Sequence, residues 1–210
     1  MRRPFREQPY SDSRNREAKM RRPALRSRFL FTRNFLRHPL RTGSLVPSSR
    51  FLVKRMLARV DWQQARIVLE LGPGLGCFSR EILRRMRPDA VLIAIEMNRT
   101  FARALRNSIK DRRLFVVEGS ALHLDTILAR FELGLSDCII SGLPFANMDH
   151  TTRESILRKC HQVLSWRGQL VLFQYRSLLA PALAGIFRSV ERSYEPLNIP
   201  PAHVFCCTRE

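Results

Sequence analysis

The stretch Val68-Leu69-Glu70-Leu71-Gly72-Pro73-Gly74-Leu75-Gly76 constrains this chain more than any other, because Glu96 stands about 20 residues past its last glycine. An apolar strand runs into a glycine-rich turn, a helix follows, and a second apolar strand ends in a carboxylate. This is the front half of a nucleotide-binding α/β unit. The glycines let a ligand lie almost on the backbone, where any Cβ would intrude. A carboxylate at the tip of the second strand can accept hydrogen bonds from both hydroxyls of a ribose.

Periodicity continues the alternation. Strands are expected near 66–71, 91–96, 114–118, 136–141 and 168–174, with helices near 76–87, 98–109, 121–130 and 151–164. A helix is expected at about 51–59, and two strand-like pieces near 186–194 and 203–208 close the chain. The pattern predicts an α/β fold, a mostly parallel seven-stranded sheet with helices on both faces. In such a sheet the ligand lies outside the carboxyl ends of the strands. The residues to read there are Glu70 to Gly76, Glu96, Gly119-Ser120-Ala121, Ser141 to Phe145, and Gln174-Tyr175.

Charge is distributed unevenly over the 210 residues, whose formal net charge is +19. Residues 1–55 hold 16 Lys/Arg against 3 Asp/Glu, and the remainder 21 against 15. A basic arm of this kind implies a polyanionic partner, nucleic acid or an anionic membrane. Residues 1–23 read as a disordered Arg-rich arm and 24–60 as a basic helical extension, with the main domain over 61–210. Within the extension, Leu25 to Arg37 reads as an imperfectly amphipathic, Phe-rich helix that either lies in a membrane interface or docks on the domain. Five cysteines without a Cys-x-x-Cys pair suit a reducing compartment as buried thiols, and no zinc site is expected. The longest apolar run, Leu178 to Phe187, is too short to span a bilayer; it either lines acyl chains or forms a buried helix. Arg2-Arg3 is not followed by a hydrophobic region, so export is not expected.

The spacing Gly-x-Gly-x-Gly, opened by Glu70, resembles the S-adenosylmethionine motif of Rossmann-like class I methyltransferases rather than a dinucleotide fingerprint. Further blocks narrow the resemblance: Gly43-Ser44-Leu45-Val46-Pro47-Ser48-Ser49, Ile95-Glu96-Met97-Asn98, Leu143-Pro144-Phe145 and Asn198-Ile199-Pro200-Pro201-Ala202. Over about residues 25–206 the chain resembles bacterial phospholipid N-methyltransferases, relatives of the rRNA adenine dimethyltransferases that methylate phosphatidylethanolamine towards phosphatidylcholine.

The resemblance implies S-adenosyl-L-methionine as cofactor, with S-adenosylhomocysteine as product. It implies that Glu70, Gly72, Gly74 and Gly76 line the methionine side, that Glu96 holds the ribose, and that Met97, Ser120 and Ala121 sit by the adenine. Ser48 and Ser49 would close the pocket from the N-terminal side, and Ser141 and Leu143 would border it. Many relatives carry Asp where this chain has Ser120, which equally suits a turn or helix cap. The rRNA enzymes carry Asn at the position of Gly142, where its amide orients a planar nucleobase amine. Glycine there favours an aliphatic amine.

Phe145 and Tyr175 either face the substrate or belong to the core. His203, Asp149 and His150 are candidate bases for removing an ammonium proton, His203 preferred, and each has a structural alternative. Asn198 either steadies the head group or serves the Pro-Pro turn. The leading expectation is a monomeric enzyme, peripheral on the cytoplasmic face of the cell membrane, that methylates phosphatidylethanolamine. An rRNA adenine dimethyltransferase is the alternative, disfavoured by Gly142 and by a chain ending after the seventh strand. Another aminolipid such as ornithine lipid is a further alternative. A catalytically silent nucleic-acid- or membrane-binding protein is the third class, opposed by the intact glycines and both carboxylates.

Overall fold

A computed structural model describes residues 48–210. The basic arm, the helix expected over Leu25 to Arg37 and Pro47 lie outside the described residues. In chain order the elements are α1 (Arg50–Leu57), β1 (Ile67–Leu71), α2 (Cys77–Arg85), β2 (Val91–Glu96), α3 (Arg99–Ser108) and β3 (Leu114–Glu118). After a 3₁₀ turn at Ala121–His123 come α4 (Leu124–Arg130) and β4 (Ser136–Ser141). A second 3₁₀ turn at Phe145–Asn147 leads to α5 (His150–Val163) and β5 (Leu164–Gln174). A third at Ser177–Leu179 leads to α6 (Ala180–Ala184), β6 (Ser189–Glu195) and β7 (Ala202–Thr208).

The described strands form one seven-stranded sheet in the order β3-β2-β1-β4-β5-β7-β6. The first five are parallel, and β7 runs antiparallel between β5 and β6. Strand order reverses between β1 and β4, so a crevice opens where β1, β2 and β4 end. Because β6 runs with β5, the turn from β6 to β7 leaves the same edge of the sheet as the glycine loop.

Each face of the sheet carries its own hydrophobic cluster. Leu69, Leu71, Ile139, Leu170, Leu172 and Phe205 pack on one side against α4, α5 and α6. Val68, Leu92, Ile140, Val171 and Val204 pack on the other side against α1 and α2. Burial on both faces is why β1, β2 and β4 read as continuous apolar runs. Leu52, Met56 and Leu57 of α1 are fully buried, each such side chain contributing about 1.5–3 kcal/mol of transfer free energy. Arg55 Nε donates to Glu195 Oε2 at 2.6 Å and Arg59 pairs with Glu191 at 3.0 Å, fastening α1 to β6.

The starts of two strands differ from expectation. β5 starts at Leu164, directly after α5, rather than near 168. Trp166-Arg167-Gly168 forms an irregular stretch of strand where pairing with β4 shifts register. A Cβ on Gly168 would lie 2.9 Å from the Ser165 carbonyl oxygen, so the irregularity needs glycine. β6 starts at Ser189 rather than 186, because the Ile186 and Phe187 amides are spent on the Leu183 carbonyl at the end of α6. Leu178 to Phe187 is a 3₁₀ turn plus the short α6, with Leu179, Leu183 and Phe187 in the core; Leu178 stands 74% exposed.

Among the described residues no helix is long and apolar enough to cross a membrane. The five cysteines are unpaired, and all but Cys77 are buried. Burial pushes the Cys160 thiol up to about 12, which keeps it protonated and inert.

Candidate active site

β1 delivers Glu70 to the crevice as a buried carboxylate. Ser79 Oγ of α2 donates to its Oε2 at 2.6 Å, while Oε1 is buried without a hydrogen-bond partner among the described residues. Burial raises the Glu70 pKa from 4.5 to about 7; the Ser79 bond opposes this and the nearby Glu96 charge adds to it. Ser79 escapes a motif search, although a serine between Phe78 and Ile82 on the buried side of α2 is an available signal.

The glycines of the following turn differ in their surroundings. Gly74 (φ 54°) has no heavy atom within 4 Å of where a Cβ would stand, so open space lies over it. Gly76 (φ 83°) also takes the left-handed conformation, and a Cβ there would come 2.5 Å from Leu105 Cδ1. At Gly72 the Leu143 side chain fills that place, 3.1 Å from the ideal Cβ.

Glu96 ends β2 buried and facing the same turn. Its Oε2 accepts from the Gly74 amide at 3.1 Å and its Oε1 from the Asn98 amide at 2.8 Å. Burial raises its pKa against these hydrogen bonds. Met97 follows it, exposed. Beyond β3, the Ser120 oxygen accepts from the Leu122 amide at 3.3 Å, so this serine caps the 3₁₀ turn, and Ala121 is buried beside it.

The turn after β4 is tightly held. Ser141 is buried with Oγ accepting from the Leu143 amide at 3.2 Å. A Cβ on Gly142 would lie 3.2 Å from the Gly72 carbonyl oxygen, so the two glycine turns touch through bare backbone. Gln174, at the end of β5, donates from Nε2 to the Leu143 carbonyl at 2.9 Å and accepts from the Ala146 amide at 3.1 Å. It splints the Leu-Pro-Phe turn to β5, a role that a lone glutamine ending an apolar strand does not announce.

Several sequence-based candidates take the structural one of their expected places. Phe145 is fully buried in the core, the second of the two places open to it from the sequence. Asn198 is also buried and committed: its Oδ1 accepts from the Ser49 amide at 2.9 Å and its Nδ2 donates to the Pro200 carbonyl at 2.7 Å. It is a clamp between the β6–β7 turn and the start of α1. Ser49 also caps α1, its Oγ accepting from the Leu52 amide at 3.2 Å, and Ser48 is half-buried beside it. Asp149 accepts from the Thr152 amide as the cap of α5, and His150 is exposed beside Glu154.

Tyr175, just past β5, is exposed, and His203 of β7 is half-buried. The Tyr175 ring meets Phe173 edge-on at 5.7 Å, and burial raises its pKa, keeping the phenol protonated. His203 pairs with Gln174 on one side and Tyr194 on the other, forming a polar row across β5, β7 and β6. Its ring lies 5.0 Å from that of Tyr194, and its Nδ1 is buried without a hydrogen-bond partner among the described residues.

The sequence profile of the ribosomal RNA adenine dimethylase family matches residues 40–165, which include the glycine turn, Glu96 and the Leu-Pro-Phe turn. The chain belongs to the ribosomal RNA adenine dimethylase family. This family member is 33% identical over 181 residues to the ornithine lipid N-methyltransferase of Singulisphaera acidiphila, covering 85% of this chain and 94% of that protein. It is 30% identical over 105 residues to the ribosomal RNA small subunit methyltransferase A of Laribacter hongkongensis, covering 50% of this chain but 38% of that one.

Among solved structures, the family member is similar to the N-methyltransferase NodS of Bradyrhizobium japonicum in complex with S-adenosyl-L-homocysteine. The TM-score is 0.63 at 16% identity, covering 87% of this chain and 97% of that one. The O-methyltransferase of Bacillus cereus in complex with the same product gives 0.65 at 13% identity, covering 85% and 90%. Likeness at these identities establishes the fold. With its family, this chain is an S-adenosylmethionine-dependent N-methyltransferase of Rossmann-like architecture.

Removing the Glu96 carboxylate is expected to weaken S-adenosylmethionine binding by about a hundredfold, since a charged acceptor at a buried site is worth roughly 1.5–3 kcal/mol. Isothermal calorimetry on Glu96→Ala checks this, and an unchanged affinity would refute the ribose contact expected of Glu96.

Proposed function

We propose that this enzyme methylates the primary amine of an aminolipid at a membrane surface, and that the lipid is of the ornithine type rather than phosphatidylethanolamine. One observation carries the reading furthest. Likeness to an ornithine lipid N-methyltransferase runs along 94% of that protein, whereas the Laribacter rRNA enzyme is matched over 38% of its length. The phosphatidylethanolamine expected from the sequence therefore gives way to ornithine lipid as first choice. Gly142 supports an aliphatic over a nucleobase amine, because bare backbone fills the place where the resemblance puts an orienting amide.

The residues at the crevice suit the cofactor. The open space over Gly74 gives room for it, the Glu70 oxygen without a partner among the described residues suits its ammonium, and Glu96 suits its ribose. Met97, Ser120 and Ala121 would border the adenine, and Ser48, Ser49, Ser141 and Leu143 would frame the rest. When bound, S-adenosylmethionine supplies an electrophilic methyl group on a sulfonium.

The work left to the chain is alignment, exclusion of water and acceptance of a neutral amine. Gln174 fixes the Leu143 to Ala146 turn on which the amine is oriented. His203 Nδ1, buried and without a partner among the described residues, is the group assigned to take the ammonium proton. The basic residues ahead of Ser48 would hold the enzyme at an anionic bilayer, roughly 1 kcal/mol per well-placed arginine.

The test is transfer of labelled methyl groups to vesicles containing ornithine lipid, to vesicles containing phosphatidylethanolamine, and to ribosomal RNA. Label in ornithine lipid ahead of both others is the expected result, and label in RNA alone would overturn the reading. In the same assay Gly142→Asn is expected to lower lipid methylation about tenfold by displacing the Gly72 turn, without creating RNA methylation.

A further inference from the structure

Soluble folds turn polar atoms outward at loop tips and apolar ones inward; the β6–β7 turn does the reverse. Leu197 and Ile199 stand 59% and 77% exposed, while Asn198 between them is 3% exposed. The polar groups of the turn are satisfied inward. Asn198 bonds the Ser49 amide and the Pro200 carbonyl, and the Leu197 amide donates to Glu195 Oε1 at 3.0 Å. Two aliphatic side chains are thus held outward on a stiff frame.

Their surroundings continue the pattern. The Ser49–Asn198 bond brings the start of α1 alongside, where Phe51 is exposed with the Arg50 guanidinium 4.9 Å over its ring. On the other side, Gln174 pairs with His203, so Tyr175-Arg176-Ser177-Leu178 leaves the sheet next to this turn. Leu178 and Tyr175 are exposed there too. Residues 48–51, 175–178 and 196–201 contain two arginines and no acid. Exposed aliphatic and aromatic groups flanked by arginine, without a carboxylate, match the boundary between acyl chains and anionic head groups.

We propose that this edge of the folded domain, tipped by Leu197, Ile199 and Leu178, inserts into an anionic lipid bilayer and brings the crevice mouth against the head groups. The inference rests on the aminolipid reading for the choice of partner. It places the membrane contact at the catalytic edge itself, in addition to the basic residues ahead of Ser48. An amine carried by a lipid then needs to rise only a short way to reach the His203 side of the crevice.

The test uses the full chain and sedimentation with vesicles of phosphatidylglycerol, phosphatidylcholine and ornithine lipid, at high salt to screen the arginine-rich arm. The double variant Leu197→Asp/Ile199→Asp is expected to lower vesicle binding by roughly tenfold or more while S-adenosylmethionine affinity stays unchanged. Leu178→Asp, on a separate segment, is expected to act in the same direction and covers the case in which the double variant disturbs the turn. Trp166→Asp, at the opposite edge of the sheet and 67% exposed, is expected to bind vesicles like the parent.

Vesicle binding that survives both the double variant and Leu178→Asp overturns the proposal, as does an equal loss in Trp166→Asp. Unaltered vesicle binding with a change from dimer to monomer would give the patch to a second copy of the chain and overturn it too. The two readings fail separately. Patch-dependent vesicle binding without methylation of the lipid would sink the substrate assignment alone. Methylation by variants that bind normally would sink the docking face alone.

Discussion

Replacing Glu70 by Gln is expected to stabilise the cofactor-free protein at about pH 8 by on the order of 3 kcal/mol, because holding this buried carboxylate ionised costs that much. Its pKa is about 7 in the fold against 4.5 in the open chain, with burial as the main cause. The sign follows from proton counting. Below pH 4.5 Glu70 is protonated in both states and adds no penalty. Between 4.5 and about 7 the folded chain keeps a proton that the unfolded chain has released, so stability falls as pH rises. Above about 7 the penalty is complete, and glutamine, which never ionises, escapes it. Urea titrations from pH 5 to 8 read the effect as a gap between parent and variant that opens with pH. Parallel curves would refute it.

The same substitution is expected to weaken S-adenosylmethionine binding at least about tenfold, since a buried carboxylate facing an ammonium is worth roughly 1.5–3 kcal/mol. Parent affinity should strengthen as pH rises through about 7, where Glu70 ionises, and the variant should lose that dependence. A group whose removal stabilises the empty protein and disables the loaded one is held for function rather than for folding.

Asn198→Ala is expected to cost about 1–3 kcal/mol of stability, because the Ser49 amide and the Pro200 carbonyl both lose a buried partner. Its kinetic signature separates two roles. A clamp that positions Ser48 and Ser49 over the cofactor should raise the KM for S-adenosylmethionine several-fold and leave the KM for lipid nearly unchanged. A residue gripping the head group would do the opposite. The structure commits both ends of the Asn198 amide to the protein, so the first pattern is the expected one, and a rise confined to the lipid KM would refute the clamp.

Asn198 also shows where reading along the chain stops. The Gly-Ser-Leu-Val-Pro-Ser-Ser block and the Asn-Ile-Pro-Pro-Ala block mark the family resemblance at opposite ends of the sequence. Their meeting, Ser49 to Asn198 across 149 residues, depends on β7 inserting between β5 and β6. Phe145 likewise looks equally suited to core and substrate until α5 and α6 enclose it.

By itself the sequence determined the alternation of strands and helices, the glycine turn and the carboxylate ending β2. Those features are written in short-range terms: apolar periodicity, turn chemistry and the approach of ligand to backbone. Tertiary structure alone decided which polar groups are already spent and which are left open. Asn198, Asp149 and Ser120 are occupied by backbone amides, while one oxygen of Glu70 and Nδ1 of His203 find no partner among the described residues. The physical reason is that burial and hydrogen-bond partnership are set by neighbours far apart in sequence. Those neighbours follow from strand order, which no local pattern encodes.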